Sequence, residues 1–354
     1  MRILIATDAW HPQVNGVVRV LDTTARLLRD FGHEVEIVGP DRFRTVPAPG
    51  YSEVRLAVAP GKDLARIVES FRPDAIHVPV EGPIGLAARR YCKKRGIPFT
   101  TSFHTRFGDY FEKRIGTGGE VAYSVQRWFH NASTSIMVQT PTLDRQLGER
   151  GFRNLKRWGR GVDTQLFRPL REEPDFDPDF LGLPRPIFMY LGRVSKEKNL
   201  EAFFELDLPG SKVVVGDGPA LSALRRAHPG VRFLGYRGGD DLARHLSAAD
   251  VFVFPSRFET FGLVVLEALA CGTPVAAFPV QGPLDILGGT PHGVLSEDLG
   301  QAALKALSID RAGCRAFAEG FSWASCTREF ESNLVPIPAS VWDLIESDEL
   351  EVAR

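Results

Sequence analysis

The stretch DVFVFPSRFETFGLVVLEALACGTPVAAF (250–278) carries the clearest structural pattern in this chain. Two short β-rich apolar runs, 250–255 and 273–278, enclose a longer apolar segment that is typical of a buried helix. Parallel strands need a crossover of this kind, so the stretch predicts a β-α-β unit. Further apolar runs at 186–192 and 212–216 extend the unit to a mostly parallel sheet with helices on both faces.

The first half of the chain repeats this alternation. Predicted strands at 2–7 and 34–39 flank a predicted helix at 17–32, and the rhythm continues to STSIMV (133–138). With 354 residues, the chain exceeds the ~250–300 at which a single hydrophobic core stops growing. We therefore predict an α/β protein of two doubly wound domains that face a ligand-binding cleft. The predicted segments are an N-terminal domain (1–167), a linker rich in Pro and acidic residues (168–185), a C-terminal domain (186–335) and a tail helix (336–354).

Composition narrows the class of protein. The four cysteines form no CxxC pair, so the sequence predicts neither disulfides nor structural zinc and fits a reducing compartment. The chain contains no apolar run of about 18 residues that would span a membrane. The opening MRILIATDAW (1–10) is too short an apolar run for a signal peptide. A cytoplasmic protein is therefore the expectation.

Charge is divided unevenly along the chain. Residues 1–165 hold 25 Lys and Arg against 17 Asp and Glu, although the whole chain has a net charge of −1. Such asymmetry is typical of a protein in which one half faces an anionic surface, and the basic half includes ARRYCKKR (88–95). The sequence predicts peripheral contact with an anionic membrane, while ordinary solvated faces explain the same charges equally well.

Two glutamates, Glu259 and Glu267, interrupt the apolar segment that opened this section. Ser256 and Glu259 match a capping box, which would make Glu259 structural, but a helix that began there would carry Gly262 in its second turn. A start near 261–262 is the better prediction. A hydrolase acid/base pair stands ~5–9.5 Å apart, whereas eight residues of helix span roughly 12 Å. The pair therefore suits the two ends of an extended ligand.

Four other candidates follow predicted strands. Gly16 precedes a predicted helix, where glycine admits a ligand and the helix N-terminus favours phosphate. Arg193 and Lys198 flank another helix start, where the helix dipole disfavours cations and a bound diphosphate would explain them. His104 follows a strand end. Each candidate also has a purely structural interpretation. Gly16 could be an ordinary turn glycine, Arg193 and Lys198 could be solvated surface cations, and His104 could be a core histidine. The nearby VVVGDGPAL (213–221) lacks the third glycine of a dinucleotide fingerprint and predicts a turn.

These blocks together resemble the retaining glycosyltransferases of family 4 (glycosyltransferase group 1), whose GT-B fold has two Rossmann-like domains. The segment 256–276 resembles the E-x7-E motif of that family. WHPQVNGVVRV (10–20) resembles its N-terminal glycine loop, and YLGRVSKEKNL (190–200) and VVGDGP (214–219) resemble further blocks in the family's order. Within the family, the chain is similar to bacterial GDP-mannose-dependent α-mannosyltransferases and glycolipid hexosyltransferases. It departs from the usual pattern at Asn199, Gln281 and Asp285.

The resemblance implies a role for each candidate in binding the donor. Glu267 would bind the ribose hydroxyls of the nucleotide, and Glu259 would lie beside the donor sugar. Arg193 and Lys198 would hold the diphosphate, with Gly16 closing over it from the first domain. The backbone amides of the helix start would contact the sugar hydroxyls and the distal phosphate; they belong to Phe261, Gly262 and Leu263.

The resemblance also implies the chemistry. His104 would lie near the reacting centre, so the catalytic candidates are His104, Glu259, Arg193 and Lys198. Fixed cations and a helix N-terminus would replace a metal, so no cofactor and no metal are expected.

The implied activity is transfer of a hexose, mannose by preference, from a nucleotide-diphosphate sugar to a lipid or glycan-precursor acceptor at the cytoplasmic membrane face, with no nucleic-acid partner. The alternatives are a UDP-glucose-dependent or other UDP-sugar-dependent diacylglycerol glycosyltransferase, a phosphorylase or sugar epimerase of the same fold, and a non-catalytic nucleotide-sugar-binding protein.

Overall fold

The computed structural model describes residues 1–352 except 14, 49–50, 110–111, 113–116, 178, 258 and 260, and it describes side chains outside 51–53 and 346–352. The chain divides into two compact units. The first unit contains Met1–Gly159 and Ala324–Arg354, and the second contains Arg160–Trp323. Each unit is built on its own parallel sheet.

The first unit alternates strands and helices as the sequence predicts. Val18, Leu21, Ala25 and Leu28 recur at helical spacing and are buried, which is why 16–30 forms a helix packed on the sheet. The elements of this part of the chain are β1 (Arg2–Ala6), α1 (Gly16–Asp30), β2 (Glu34–Val38), β3 (Thr45–Ala48), β4 (Tyr51–Ala57), α2 (Gly61–Phe71), β5 (Ala75–Val78), α3 (Pro83–Arg95), β6 (Thr100–Ser102), α4 (Gly119–His130), β7 (Ser135–Val138), α5 (Pro141–Glu149) and β8 (Leu155–Arg157).

The strands of the first unit form a parallel sheet in the order β2-β1-β5-β6-β7-β8, counted over the described residues. The central strand β1 pairs Ile3 with Val35 of β2 and with Ala75 of β5. Ile3 and its neighbour Leu4 point to opposite faces and are both fully buried. Burial on both faces is what a parallel sheet between two helix layers requires. The strands β3 and β4 form a separate antiparallel hairpin that sequence reasoning missed.

The second unit repeats the architecture. Its strand β9 is buried at all five positions, which explains the uninterrupted apolar run in the sequence. The elements are β9 (Ile187–Leu191), α6 (Glu201–Phe204), β10 (Ser211–Val215), α7 (Leu221–Ala227), β11 (Arg232–Gly235), α8 (Gly239–Ala248), β12 (Val251–Phe254), α9 (Leu263–Ala270), β13 (Val275–Ala277), α10 (Gln281–Leu287), β14 (Gly293–Leu295), α11 (Leu299–Ala306) and α12 (Arg311–Glu319).

The second sheet has the strand order β11-β10-β9-β12-β13-β14, again over the described part of the chain, and every strand pair is parallel. Numbered within the unit, this is the order 3-2-1-4-5-6 of a Rossmann fold. The prediction of two doubly wound α/β domains is therefore confirmed. In such a sheet, ligands bind at the carboxyl ends of the two strands between which the order reverses. Here those strands are β9 and β12.

The boundaries between the units differ from the predicted ones at both ends. Residues 160–167, which the sequence interpretation assigned to the first domain, belong to the second unit. Helix α13 (Trp323–Asn333) falls almost entirely in the first unit, whereas the sequence interpretation assigned 324–335 to the second domain. The reason is an aromatic contact: the Phe330 ring lies 4.8 Å from the rings of both Trp158 and His77. The tail forms α14 (Ala339–Val352), and Ile345 packs in the first core.

The segment interpreted as a linker, 168–185, packs on the second unit. Leu170 lies in its hydrophobic core at 8% exposure. Arg171 and Arg185 both reach Asp250, at 2.9 and 2.7 Å, and Asp250 also accepts a hydrogen bond from the Ile187 amide at 2.7 Å. Burial opposes ionisation of this carboxyl, but the amide and the Arg171 guanidinium hold the pKa of Asp250 below its ordinary value. The acidic composition suggested a solvated linker, because the sequence alone does not show that these side chains have partners in the second unit.

Candidate active site

The candidates in the second unit gather at the switch point of its sheet. Arg193 and Lys198 follow β9, and Glu259 and Glu267 follow β12, the neighbouring strand. The chain leaves β9 toward β10 and reaches β12 on the other side, so the loops after these two strands diverge. In open α/β sheets, loops that diverge in this way border the crevice at the carboxyl ends of the strands where nucleotide ligands bind.

The loop after β9 is held by close backbone packing. A Cβ at Gly216 would lie 1.9 Å from the Gly192 carbonyl oxygen, and one at Gly218 would lie 2.3 Å from the Val194 carbonyl oxygen. Gly216 and Gly218 have φ of +142° and +158°. The GxG of the VVVGDGPAL block therefore serves to press the loop after β10 against the loop after β9.

Asn199 ends a short 3-10 helix, Lys196–Lys198, and separates it from α6. Its φ is +55°, in the left-handed region where Gly and Asn are the residues of lowest cost. The Asn199 side chain also donates to the Pro255 carbonyl oxygen at 3.1 Å, which ties the β9 loop to the end of β12. This conformation explains why asparagine can stand at this departure from the family's pattern.

Lys198 and Glu259 form an ion pair across the crevice loops. Lys198 Nζ donates to Glu259 Oε2 at 2.9 Å, and the two side chains are 23% and 20% exposed. The negative charge of Glu259 raises the pKa of Lys198 above its ordinary value, and burial and Arg193 act in the opposite direction. Lys198 therefore stays protonated at any physiological pH. The structure brings together these two residues, predicted to touch phosphate and sugar.

Tyr190 is a residue of this site that sequence reasoning missed. Its hydroxyl donates to the Arg193 carbonyl oxygen at 2.9 Å, and this bond holds the backbone of Arg193 in place. Burial raises the pKa of Tyr190, and the charges of Glu259 and Glu197 add to the shift, so the phenol stays neutral. Its position in a buried strand gave no signal of this contact.

The helix after β12 begins where the sequence predicts. Helix α9 starts at Leu263, and Gly262 precedes it with φ of +86°, a conformation that favours glycine. The Ser256 hydroxyl is buried and has no hydrogen-bond partner among the described residues, so the capping-box alternative is wrong. Phe261 is 8% exposed and Leu263 begins the helix, while Phe258 and Thr260 lie outside the described residues.

Glu267 is 3% exposed on α9, a helix whose other positions 265–270 are buried and apolar. A carboxylate there costs free energy unless polar groups meet it, so packing alone gives no reason for its presence. Its charge also contributes, after burial, to raising the pKa of the Cys271 thiol to about 12. Glu267 therefore remains a candidate for contact with a ligand.

Gly282 at the start of α10 is a second residue that sequence reasoning missed. A Cβ there would lie 2.5 Å from the Phe261 carbonyl oxygen and 3.2 Å from Cγ of Glu259. Glycine thus lets the N-terminus of α10 press against the backbone that carries Glu259. Gln281 and Asp285, where the sequence departs from the family's pattern, form a hydrogen bond: Gln281 Nε2 donates to Asp285 Oδ2 at 2.5 Å.

Gly16 and His104 both lie in the first unit. Gly16 opens α1, where the Asn15 side chain already accepts hydrogen bonds from the amides of Val17 and Val18, both at 3.0 Å. A Cβ at Gly16 would meet nothing within 4 Å. Neither backbone strain nor packing within the unit demands glycine there, so the open space is compatible with approach of a ligand.

His104 ends a chain of buried polar side chains. Its Nε2 lies 2.8 Å from the Ser102 hydroxyl, which lies 3.1 Å from Nε2 of His77, whose Nδ1 lies 2.9 Å from the Thr100 hydroxyl. His77, Thr100 and Ser102 are all fully buried. The Trp158 ring packs edge-on to His104 at 5.9 Å. The imidazole orientation is therefore set by neighbours that the strand periodicity did not reveal.

Two carboxylates at the switch point of the first sheet were also missed, the buried Asp8 and the partly buried Glu81. Asp8 follows β1 and accepts hydrogen bonds from the amides of Ile84 and Gly85 at 2.9 and 3.0 Å, which caps α3. Burial raises the pKa of Asp8 to about 6 although these amides oppose the shift. Its position directly after a strand was the available signal.

The neighbouring Glu81 behaves in the opposite way. Burial opposes its ionisation, but a hydrogen bond from His130 at 3.0 Å and one from Gln126 at 2.7 Å hold the pKa of Glu81 below its ordinary value. The partly buried Glu81 is therefore ionised at neutral pH, whereas the buried Asp8 titrates just below neutral pH. Carboxylates whose environments separate their pKa values are typical of functional sites.

The described residues contain neither a metal-binding cluster nor a membrane-spanning helix. No group of three or more His, Cys, Asp or Glu side chains in this part of the chain is arranged to hold a metal ion. No helix among the described residues is both long enough and apolar enough to cross a bilayer.

Comparison with known proteins identifies the family. Residues 14–166 match the family described as Glycosyltransferase Family 4, and residues 185–309 match Glycosyl transferases group 1. The GDP-mannose-dependent alpha-mannosyltransferase of Mycobacterium tuberculosis is 30% identical over 82% of this chain and 82% of its own length. The alpha-monoglucosyldiacylglycerol synthase of Streptococcus pneumoniae is 28% identical over 87% and 78%, respectively.

The fold also resembles that of a solved structure. The structure of sucrose-phosphate synthase from Thermosynechococcus elongatus superposes with a TM-score of 0.74 at 20% identity, covering 94% of this chain and 97% of that one. Three findings support the same family. They are the two Rossmann-like sheets, the family matches over both units and the mannosyltransferase relative at 30% identity. The chain therefore belongs to family 4 of the glycosyltransferases, glycosyltransferase group 1, and is a hexosyltransferase of the GT-B fold.

Proposed function

We propose that this enzyme transfers a hexose, with mannose favoured, from a nucleoside-diphosphate sugar to a lipid or glycan-precursor acceptor at the cytoplasmic face of the membrane. The observation that carries the proposal is the Lys198–Glu259 ion pair at the switch point of the second sheet. Nucleotide ligands of this fold bind at the switch point, so a permanent cation and a carboxylate there support contacts with the phosphates and the sugar. The mannosyltransferase relative supports mannose as the first donor to test.

The diphosphate would lie against Arg193 and Lys198. A guanidinium binds phosphate oxygens in bidentate geometry, and the ammonium adds a point charge whose pKa is raised by Glu259. The N-terminus of α9, behind Gly262 and Leu263, would add its dipole and amides to the same anion. These charges stabilise the nucleoside diphosphate as it leaves, since negative charge develops on the phosphate in the transition state.

The two glutamates would hold the ends of the donor. Glu259 would accept hydrogen bonds from hydroxyls of the sugar, and the buried Glu267 would bind the ribose hydroxyls. The amides of Phe261, Gly262 and Leu263 would lie between them. Gly16 would contribute the open backbone of the first unit, where its missing Cβ leaves space.

The reaction would retain the anomeric configuration. The bond from the anomeric carbon to the phosphate oxygen breaks as the acceptor oxygen attacks from the same face, and the acceptor proton passes to the leaving phosphate. His104, held by Ser102 and packed on Trp158, would lie near this centre and orient the reacting sugar. We assign no side chain as a general base, because the leaving phosphate accepts the proton.

We further propose that transfer needs no metal, since Arg193 and Lys198 supply the positive charge that a divalent cation supplies elsewhere. Turnover in excess chelator should equal turnover in added Mg²⁺ or Mn²⁺. A strict requirement for either ion would refute this part.

A second candidate donor is UDP-glucose, with diacylglycerol as the acceptor. The specific observation in its favour is the similarity to the monoglucosyldiacylglycerol synthase over 87% of this chain. The two candidates share the diphosphate and differ in base and sugar, so a donor panel separates them.

The test is a panel of GDP- and UDP-hexoses crossed with diacylglycerol and mannosyl acceptors, read by release of GDP or UDP. Nuclear magnetic resonance of the product then gives the anomeric configuration. Transfer from GDP-mannose with an α-linked product is the expected result. Transfer from UDP-glucose to diacylglycerol would assign the second candidate, and an inverted anomer would refute the mechanism.

A further inference from the structure

The solvent face of helix α4 is apolar. Val121, Val125 and Trp128 follow one another at helical spacing and are 68%, 56% and 55% exposed. The opposite side of the same helix is already buried in the first unit through Tyr123 and Phe129. Single exposed apolar residues are common, but a stripe of three along one helix marks a surface that another body covers.

Cations line a groove at the Trp128 end of this stripe. An open groove beside Trp128 is lined by Lys93 of α3 and by Arg127, Arg150 and Arg153, with Glu149 as its one acidic residue among the described side chains. Lys93 and Arg153 are exposed, and neither makes an ion pair with a described residue. The groove therefore offers several positive charges next to the apolar stripe. We call Val121, Val125, Trp128, Lys93 and Arg153 the α4 surface.

The aromatic residue is fixed in its exposed position. The Arg89 guanidinium lies 3.7 Å from the centroid of the Trp128 ring and donates to the carbonyl oxygens of Trp128 and Phe129 at 3.0 and 3.2 Å. Arg89 itself is 8% exposed, and burial lowers its pKa. Trp128 thus presents its ring to solvent on a rigid support and does not need to be ordered when it binds.

We propose that the α4 surface docks the enzyme on a bilayer that contains anionic lipid. Trp at the level of the headgroups, small apolar residues in the upper acyl region and Lys or Arg on lipid phosphates are the composition of an interfacial helix. An apolar face could contact either a second copy of the chain or a bilayer, and the charge around it distinguishes the two. A second copy of the chain would bring two positive grooves together, which is repulsive, whereas an anionic bilayer complements both the stripe and the groove.

This inference rests on the proposed function in one respect, because a lipid-linked acceptor is what gives membrane docking a purpose. Its observations are independent of the proposed diphosphate-binding residues Arg193 and Lys198, which lie in the other unit. The basic run 88–95 contributes less than its composition suggests, since Arg89 is used inside the unit.

The experiment measures partition of the full chain onto vesicles of phosphatidylcholine with and without phosphatidylglycerol, by co-sedimentation. Binding is expected only with phosphatidylglycerol and should fall as salt rises from about 0.1 M to about 1 M, which shortens the Debye length from ~10 to ~3 Å. Lys93→Gln with Arg153→Gln should lower the partition coefficient about 30-fold, because each cation near an anionic surface contributes roughly fivefold.

Matched controls separate the α4 surface from net charge and general hydrophobicity. Arg225→Gln with Arg226→Gln removes the same charge from exposed positions on α7 of the second unit and should leave partition within about twofold of wild type. Val121→Ser with Val125→Ser should lower partition at least about tenfold. The control pair for that change is Val46→Ser with Val58→Ser, at positions that are 50% and 53% exposed, and it should have no effect.

Tryptophan fluorescence locates the contact. Quenching by brominated phosphatidylglycerol is expected for wild type and should be lost in Trp128→Phe. Equal partition of the Lys93/Arg153 variant and its control would overturn the proposal. So would a change of oligomeric state in Trp128→Ala by analytical ultracentrifugation, which would assign the surface to a second copy.

Nucleotide-sugar binding by calorimetry keeps the two hypotheses apart. All α4-surface variants should bind the donor as wild type does. If wild type binds no nucleotide sugar, the proposed function fails, while the vesicle result still decides the docking surface.

Discussion

Replacement of Glu259 by Gln should strengthen binding of the free nucleoside diphosphate while it impairs transfer. In the structure, Glu259 neutralises Lys198 at 2.9 Å, so a diphosphate must compete with a carboxylate for that ammonium. Glu259→Gln removes the competing charge and leaves a side chain of nearly the same shape. A diphosphate without a sugar gains from this change and loses nothing, because the predicted partner of Glu259 is the sugar.

The magnitude follows from the geometry. Two unit charges at 2.9 Å attract by about 6 kcal/mol at an effective dielectric constant of ~20. The side chains are 23% and 20% exposed, so hydration offsets most of this attraction. The net value of such a pair lies between ~1 kcal/mol for exposed pairs and ~3 kcal/mol for buried pairs. We take about 1.5 kcal/mol, which is roughly tenfold in the dissociation constant.

The assay is calorimetric titration of GDP and of UDP into wild type, Glu259→Gln, Lys198→Gln and the double variant, beside transfer rates with the full donor. Glu259→Gln should bind the preferred diphosphate about tenfold more tightly, and the gain should vanish when Lys198 is also replaced. Lys198→Gln alone should weaken binding. Weaker or unchanged diphosphate binding by Glu259→Gln would refute the reasoning, since it would mean that Lys198 does not contact the phosphates.

Three further results are expected. For Asp8, the folded pKa of about 6 exceeds the unfolded value of ~3.9, so its contribution to stability is present below pH ~4 and is lost as pH rises through 6. Between pH ~4 and ~7, the free energy of unfolding of wild type should therefore fall by about 3 kcal/mol relative to Asp8→Asn in denaturant titrations; parallel curves would contradict the shift. Asn199→Ala should cost about 2 kcal/mol through left-handed strain and the lost Pro255 hydrogen bond, while Asn199→Gly should cost less than 1 kcal/mol; equal losses would remove the conformational argument. Ser102→Ala should lower the transfer rate about tenfold without changing diphosphate affinity, because it releases the imidazole of His104; partial recovery in Ser102→Thr is the check, and an unchanged rate would show that His104 needs no such support.

Much of the fold was readable in the chain because its strands are buried on both faces. The run IFMYL of β9 and the run VFVF of β12 are apolar at every position, a pattern with few alternatives in a chain of this length. The start of α9 was also predictable, since only a later start keeps Gly262 out of the helix. The hairpin β3–β4 was not, because most of its described side chains are at least partly exposed and its sequence carries no strong alternation.

The candidate site divides in the same way. Residue type and position after a strand pointed to Arg193, Lys198, Glu259 and Glu267, and those are properties of the local sequence. The partners of these residues depend on distant segments: Lys198 and Glu259 are 61 positions apart, and sequence spacing gave no sign that they pair.

Local sequence determined the elements and the identity of the charged groups, because helix periodicity, strand burial and turn glycines act over a few residues. The tertiary structure alone set how those groups are used. Packing joined α13 to the first sheet through Phe330, placed the supposed linker on Asp250 and buried Arg89 beneath Trp128. Each of these outcomes depends on which segments of the chain become neighbours, and the charge and burial of a side chain are fixed by its neighbours in space.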